Sequence, residues 1–253
     1  MPAKDEPLAI LLRAFNLSTM ARIVPEALAQ AQTQNWSHRE LLLHLCESEA
    51  QERGARLTER LLKASGLPEG KTLATLHEAT LPERVRRQLP ALLAGDFIER
   101  NENILAFGLP GRGKTHFLAA LGRELILRHN RRVLFVPTFK LVGRLLQAKA
   151  GNKLEEALKN LDRFEIVILD DIGYVQQSRE EMEVLFTFLA ERYERRSLLV
   201  STNLVFSKWD QIFKDPMTTM AAVDRLVHHA IILEFNGESL RTSKEKEKKS
   251  ATQ

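Results

Sequence analysis

A short glycine-rich segment constrains the fold of this 253-residue chain more than any other feature. Residues 108–115 read Gly-Leu-Pro-Gly-Arg-Gly-Lys-Thr and fit G-x-x-x-x-G-K-[ST], the Walker A pattern of a phosphate-binding loop. They follow an apolar run, 104–107, and precede an amphipathic stretch, 115–128, so a strand leads into the loop and a helix leaves it. Backbone N–H groups of such a loop face a phosphate, and the helix adds its positive dipole end. The sequence therefore predicts a nucleotide-phosphate site.

The last two residues of the motif have predictable roles. The Lys114 ammonium group is expected to bridge the β- and γ-phosphates, and the Thr115 hydroxyl to ligate Mg²⁺. ATP and Mg²⁺ are therefore the predicted ligands. The residues expected to contact the nucleotide are Gly108, Leu109, Pro110, Gly111, Arg112, Gly113, Lys114, Thr115 and His116.

An acidic element of the Walker B type follows further along the chain. The apolar run 166–169 ends in Asp170 and Asp171, which puts two carboxylates at the C-terminal end of a buried strand. Asp170 is the predicted Mg²⁺ ligand, directly or through water, and Asp171 is expected to orient and deprotonate the attacking water. Many ATPases carry Glu at the second place. The shorter Asp171 predicts slow hydrolysis, or hydrolysis that depends on partners.

A polar residue also follows the fourth apolar run. Residues 198–201 precede Thr202 and Asn203, and the chain order puts this strand between the two strands that carry the motifs. An amide at that tip is suited to hydrogen-bond the γ-phosphate or the attacking water, so Asn203 is a candidate catalytic residue. The alternative for an asparagine after a strand is a turn residue or a helix cap.

Five apolar runs predict the strands of one sheet. Long helical segments separate the first four, which is typical of a parallel sheet covered by helices on both faces. We expect this α/β domain over residues 96–240, after an all-helical domain at 1–70 and a connecting segment at 71–95. The charged residues 241–253 are expected to form a disordered tail. The runs are 104–107, 133–136, 166–169, 198–201 and 231–235.

The N-terminal region has the pattern of amphipathic helices. Ser37 and Glu40 fit a capping box, so a helix is expected to begin there and to run to Lys63, with a weak point at Gly54. Its later half carries basic residues that form either a salt-bridged solvent face or a phosphate-contacting face, namely Arg53, Arg56, Arg60 and Lys63. The residues expected to face a core before this helix are Leu8, Leu11, Leu12, Phe15, Met20, Ile23 and Leu28.

Bulk properties narrow the class of protein. No apolar stretch approaches the roughly 20 residues of a membrane span, and the first residues do not resemble a signal peptide. We therefore expect a cytoplasmic protein with no membrane partner. The single cysteine, Cys46, excludes an intramolecular disulfide and a cysteine-based metal site, and is expected to be a core thiol. The net charge of +4 is spread thinly, so it permits a DNA partner without arguing for one.

These motifs in this order resemble the IstB/DnaC branch of the AAA+ ATPases. More narrowly, they resemble the IstB-like helpers that are encoded beside a transposase in bacterial insertion sequences. The resemblance implies an AAA+ core with a reduced or absent C-terminal lid, since only 28 residues follow Arg225. It covers about residues 10–241, and the segments that carry it are 17–20, 108–115, 169–174, 191–194, 201–203, 206–209 and 224–229.

The resemblance also implies roles for three residues. Asn203 matches the sensor-1 position, and Arg225 matches the arginine finger that enters the ATP site of a neighbouring subunit. A guanidinium suits that role because it stabilises charge on the transferred phosphoryl group. Arg241 is a loose match to a second phosphate-sensing arginine. The structural alternative for Arg225 is a salt bridge to Asp224 or another nearby acid.

The implied function is that of an ATP-hydrolysing helper. It would self-associate through ATP interfaces on DNA, double-stranded rather than single-stranded, and recruit or regulate a cognate transposase. One alternative is a DnaC-type loader of a replicative helicase, which acts on single-stranded nucleic acid. Another is a nucleotide-dependent scaffold with little hydrolysis, because Asp171 replaces Glu. A small-molecule kinase is disfavoured, since the sequence carries no recognisable phosphate-acceptor motif or arginine-rich lid.

Overall fold

The computed structural model describes residues 6–76, 78–173, 178–204, 208–213 and 215–236. The chain divides into two compact units, Met1–Arg60 and Leu61–Gln253. Arg241 and the predicted tail 241–253 lie outside the described residues, as do Tyr174, Phe206 and Ser207 of the family segments. Within the described ranges, no helix is both long and apolar enough to cross a membrane.

The first unit is helical. It contains α1 (Glu6–Ala14), α2 (Ser18–Gln34) and the greater part of α3 (His38–Ser65). The predicted capping box is confirmed, since Ser37 N donates to Glu40 Oε2 at 2.7 Å and Glu40 N donates to Ser37 Oγ at 3.3 Å. The helix continues through Gly54 without a break.

The core of this unit is smaller than the sequence pattern suggests. Val24, Ala27 and Leu45 are its buried centre, and Leu12, Met20, Ile23 and Leu28 pack against them in part. The expectation of core positions was wrong for three residues, because Leu8, Leu11 and Phe15 are 42%, 56% and 71% exposed. Asn16 adopts a left-handed conformation after α1, which ends after nine residues. This helix packs against α2, and that contact leaves the three side chains uncovered. Cys46 is exposed as well, not a core thiol.

The basic face of α3 is engaged in ion pairs. Arg53 and Arg56 lie 3.1 Å and 3.6 Å from Glu49 Oε1. Glu49 is itself buried, and its other oxygen accepts hydrogen bonds from the backbone N–H groups of Thr19 and Met20, the first turn of α2. Because Glu49 holds both arginines, these contacts favour a salt-bridged role over a phosphate-contacting one for Arg53 and Arg56.

The second unit is built on one parallel five-stranded sheet in the order β2-β3-β4-β1-β5. All five predicted strands are present, and the predicted position of β4 between the two motif strands is confirmed. Buried apolar residues form a separate cluster on each face of the sheet, as expected for a doubly covered parallel sheet. The strands are β1 (Asn103–Phe107), β2 (Val133–Pro137), β3 (Ile166–Asp170), β4 (Ser197–Thr202) and β5 (Ala230–Glu234).

Helices fill the connections between the strands. One of them, α4, lies within the segment that the sequence predicts as a connection, and its Val85, Leu89 and Leu92 are buried in one of the two sheet cores. The helices of this unit are α4 (Glu83–Ala94), α5 (Asp96–Glu99), α6 (Lys114–His129), α7 (Thr138–Ala150), α8 (Leu154–Asp162), α9 (Arg179–Arg192), α10 (Asp210–Phe213) and α11 (Pro216–Val227).

A buried arginine joins several elements at the N-terminal edge of the sheet, by which we mean the side at which the parallel strands begin; the C-terminal edge is the side at which they end. Arg192, the last residue of α9, is only 2% exposed, and burial lowers the pKa of its guanidinium to about 9. Its N–H groups donate at 3.0 to 3.2 Å to carbonyl oxygens at the end of α8 and the starts of β3 and β4. These dipoles compensate the buried charge, so Arg192 supports the fold and not the chemistry. The carbonyls belong to Leu161, Phe164, Glu165 and Ser197.

Arg192→Ala is expected to lower the free energy of unfolding by about 3 kcal/mol, because it removes the hydrogen bonds that join these carbonyls and opens a cavity. Arg195→Ala is the matched control: this arginine is 58% exposed and pairs with Asp162 and Glu191 at the surface. It should cost less than about 1 kcal/mol. Urea unfolding of both variants would measure the difference, and equal losses would contradict the role given to Arg192.

Candidate functional site

The glycine-rich loop connects the end of β1 to α6 and depends on its glycines. Gly108, Gly111 and Gly113 have φ angles of 149°, 81° and 86°, a region that other residues rarely adopt. A Cβ atom on Gly108 would also lie 2.4 Å from the carbonyl oxygen of Phe235. The loop therefore needs glycine for backbone conformation and, at its first position, for close packing against the chain beyond β5.

Lys114 folds back over the loop. Its Nζ donates to the carbonyl oxygens of Gly108 at 2.5 Å and Leu109 at 3.0 Å, and the residue is only 9% exposed. These carbonyls hold the ammonium group inside the loop at the N-terminus of α6. Phosphate oxygens are stronger partners for an ammonium group than neutral carbonyls, so a bound phosphate can take over these contacts.

The two predicted metal ligands are in direct contact. Thr115 Oγ1 donates to Asp170 Oδ1 at 2.7 Å, which joins the start of α6 to the end of β3. Ser201 Oγ donates to the same carboxylate oxygen at 2.7 Å, and Thr138 Oγ1 donates to the backbone carbonyl of Asp170 at 3.0 Å. Hydroxyl and carboxylate oxygens are the donors that a hard cation such as Mg²⁺ prefers. The residues present therefore fit this ion.

Asp171 adopts a left-handed backbone conformation, with φ of 58°, that is uncommon outside glycine and costs free energy to maintain. Its N–H donates to Ser201 Oγ at 2.8 Å. The side chain reaches the surface, yet partial burial of its carboxyl raises its pKa; the charge of Asp170 adds to the increase and Lys114 opposes it. Asp171 is thus an accessible carboxylate with a greater affinity for a proton than an ordinary aspartate has.

Asn203 follows β4, the strand between β3 and β1. Its Oδ1 is buried and has no hydrogen-bond partner within the described residues. In the adjacent loop, Arg112 Nε and Nη1 are likewise buried without a partner among the residues described. Both side chains line a cavity of about 470 Å³ between the loop and the ends of β4 and β5. Buried polar atoms without partners are costly, so this cavity has the polar groups to receive a ligand.

The ring of His116 is engaged elsewhere. His116 Nε2 lies 3.0 Å from Thr75 Oγ1 and 3.1 Å from the carbonyl oxygen of Thr72. The side chain therefore ties α6 to the segment before α4. Any contribution of His116 to a phosphate site would come from its backbone N–H at the start of the helix.

Arg225 lies near the N-terminal edge of the sheet, whereas the loop lies at the C-terminal edge. Its helix, α11, ends where Asn103 begins β1, and Asn103 Nδ2 donates to the carbonyl oxygen of Leu226 at 3.1 Å. The loop begins after the five residues of β1, a strand about 13 Å long. The guanidinium of Arg225 lies 4.9 Å from the Phe186 ring centre and donates to the carbonyl oxygen of Ala221 at 2.9 Å. Within the described ranges it forms no ion pair with Asp224.

Ser201 is a site residue to which the sequence analysis assigned no role. It is 2% exposed, and its hydroxyl contacts both predicted carboxylate residues, as donor to Asp170 and as acceptor for the N–H of Asp171. A hydroxyl near the end of the strand between the two motif strands was the available signal. It has little weight alone, because the contact also requires that β4 be the neighbour of β3.

Comparisons with known proteins identify the family of this chain. Residues 10–249 match the family model described as IstB-like ATP binding protein. An insertion-sequence ATP-binding protein of Sinorhizobium fredii is 42% identical over 92% of this chain and 78% of its own length. The IS21 insertion-sequence ATP-binding protein of Pseudomonas aeruginosa is 37% identical over 95% of this chain and 90% of its own length.

Solved structures share the fold at lower identity. The DnaC helicase loader aligns with a TM-score of 0.52 at 19% identity, over 70% of this chain and 99% of that one. The replication initiator DnaA bound to AMPPCP and single-stranded DNA aligns with a TM-score of 0.58 at 18% identity, over 73% of this chain and 56% of that one. At this identity the comparison supports the AAA+ fold of the sheet and its helices. With the family model matching nearly the whole chain, the protein belongs to the IstB-like ATP-binding protein family and has the AAA+ P-loop fold.

Proposed function

We propose that this protein hydrolyses ATP with Mg²⁺, self-associates on double-stranded DNA through its ATP sites, and recruits or regulates a transposase. The observation that carries the proposal is the separation of two groups of residues along one sheet. The loop, Asp170 and Asp171 lie at the C-terminal edge of the strands, whereas Arg225 lies near the N-terminal edge.

The residues at the C-terminal edge fit the chemistry of hydrolysis. The loop N–H groups and Lys114 bind the phosphates, and Thr115 and Asp170 hold Mg²⁺, which neutralises developing charge when bound. Asp171 accepts the proton of the attacking water, and its raised pKa suits a group that must take up a proton. The Asn203 amide, whose oxygen has no partner within the described ranges, orients that water or the γ-phosphate.

We assign Arg225 to the ATP site of a neighbouring copy. An arginine finger stabilises the charge of the transferred phosphoryl group, and the length of β1 separates Arg225 from the loop of its own chain. A head-to-tail arrangement of copies would let Arg225 reach the loop of a neighbour, since it brings the N-terminal edge of one sheet to the C-terminal edge of the next. Hydrolysis would then depend on assembly.

DNA and a transposase enter the proposal through the relatives, whose names place them in insertion sequences. A net charge of +4 per copy attracts a duplex weakly. An oligomer multiplies these weak contacts along the DNA phosphate backbone, so assembly and DNA binding support each other. A helicase-loader function is less well supported, because the likeness to DnaC extends to the fold alone.

Ser201→Ala should raise the Mg²⁺ concentration needed for ATP binding about 10- to 100-fold, since it removes the hydroxyl that orients Asp170. Ser197→Ala is the matched control. It truncates a buried serine of the same strand, whose hydroxyl has no hydrogen-bond partner among the described residues. Binding of a fluorescent ATP analogue would be measured for both variants at increasing Mg²⁺ concentration. Equal effects of the two changes would refute a positioning role for Ser201.

Asp171→Asn and Arg225→Ala should each reduce turnover by about a factor of 10³ or more. An equimolar mixture of the two inactive variants should recover about one quarter of wild-type turnover, because one interface in four then joins an intact Asp171 to an intact Arg225. Mixing Asp171→Asn with the double variant is the control and should recover none. Failure of the first mixture to recover activity would contradict a shared site.

With a non-hydrolysable ATP analogue and duplex DNA, electron microscopy should reveal rings or short filaments on the DNA. The same protein with ADP, or with the Lys114→Ala change, should remain unassembled because phosphate contacts at the interface are lost. Single-stranded DNA of equal length is the comparison for the strand preference. A monomer under all of these conditions would overturn the proposal.

A further inference from the structure

Two segments of the sequence resemblance have no role in the proposed ATPase, namely 191–194 and the end of 224–229. The fold brings them together at the N-terminal edge of the sheet. Glu194, His228 and His229 each offer one ligand atom there, and these atoms all lie within 4.8 Å of one another. With Tyr193 and Asn103 they line a surface cavity of about 230 Å³.

We propose that Glu194, His228 and His229 form a binding site for a divalent transition-metal ion, with Zn²⁺ as the best match. Two imidazoles and one carboxylate are a common ligand set for Zn²⁺, in which solvent takes the fourth position. All three side chains are exposed, so an ion can reach them directly from solvent. This inference does not depend on the proposed ATPase function.

The spacing of the ligand atoms suits such an ion. A tetrahedral site with metal–ligand bonds of about 2.0–2.1 Å holds its ligand atoms about 3.3 Å apart. His228 Nδ1 and Glu194 Oε1 are already 3.7 Å apart, and the rings of His228 and His229 have centres 4.0 Å apart. The three side chains are exposed, so rotation about their side-chain bonds can shorten the remaining distances.

The backbone on both sides of the cavity is held in place. Asn101 Nδ2 donates to the carbonyl oxygen of Glu194 at 3.0 Å, and Asn103 N donates to that of His229 at 3.1 Å. One short turn at the start of β1 therefore anchors both ligand-bearing segments. Glu194 and His229 also adopt left-handed conformations, with φ of 56° and 60°. Such conformations persist only where surrounding contacts impose them, so the backbone that carries the ligand side chains is held before any ion binds.

The Tyr193 hydroxyl competes for two of the ligands, because it contacts His228 and also hydrogen-bonds the Glu194 carboxylate. The Tyr193 hydroxyl lies 2.8 Å from His228 Nδ1, the nitrogen nearest to Glu194. A metal ion bound at that nitrogen displaces the hydroxyl, which lies at the surface and can turn to water. The Tyr193 ring stays beside His228, at a centre-to-centre distance of 5.9 Å, and continues to limit the movement of the imidazole.

The full-length protein, stripped with a chelator and freed of nucleotide, should be titrated with Zn²⁺ by calorimetry in excess Mg²⁺. The Mg²⁺ occupies oxygen-ligand sites and competes poorly for imidazole. We expect one equivalent to bind, and Glu194→Gln, His228→Ala and His229→Ala each to weaken binding by at least about tenfold. Co²⁺ in place of Zn²⁺ should give the strong visible absorption of a tetrahedral ion in the wild type and not in the three ligand variants.

Two controls separate ligand loss from general damage. Tyr193→Phe alters the same cavity without removing a ligand, and His38→Ala removes an exposed histidine in the other compact unit. Tyr193→Phe should bind Zn²⁺ at least as tightly as the wild type, because it removes the competing hydroxyl, and His38→Ala should bind within about threefold of the wild type. Binding that survives the three ligand variants, or that falls equally with Tyr193→Phe, would overturn the site. Circular dichroism of each variant would confirm that it is folded.

Discussion

The candidate ATP site depends on one carboxylate oxygen. Asp170 Oδ1 accepts hydrogen bonds from Thr115 and Ser201, which joins the loop after β1 to the ends of β3 and β4. This meeting is possible because all five strands are parallel and end at the same edge of the sheet. The order β3-β4-β1 then puts Ser201 between the metal carboxylate and the loop. A change in strand order would separate these groups even if every residue were kept.

The same sheet also separates two kinds of surface. Its C-terminal edge carries the phosphate loop and the carboxylates, and its N-terminal edge carries Arg225 and the Glu194–His228–His229 cluster. Under the proposed function, neither the loop nor Arg225 forms a complete ATP site within one copy. A head-to-tail contact is heterologous, so it continues until a ring closes or a filament extends. The buried Arg192 stabilises the N-terminal edge by hydrogen bonds to carbonyls of three elements.

Some features were beyond the reach of the sequence pattern for physical reasons. Helical periodicity marks an apolar face but does not say whether another element covers it. Leu8 is therefore exposed although it shares the apolar face of α1 with Leu12. Asp171 reads as an ordinary acid after a strand, whereas its left-handed backbone and raised pKa arise from contacts with Ser201 and Asp170. His116 follows the motif in sequence, yet its ring pairs with Thr72 and Thr75.

The sequence by itself determined the phosphate loop, the two acidic residues after β3, the five strands and the family. These features are local: glycine spacing, a buried apolar run and the residue at its end report on a few adjacent residues. Only the tertiary structure decided that Ser201 contacts both Asp170 and Asp171, that Arg225 lies near the far edge from the loop, and that Glu194 meets two histidines. Each of these spatial relations involves residues about 30 or more positions apart in the sequence. Such pairs are brought together by strand order and helix packing, which no local pattern encodes.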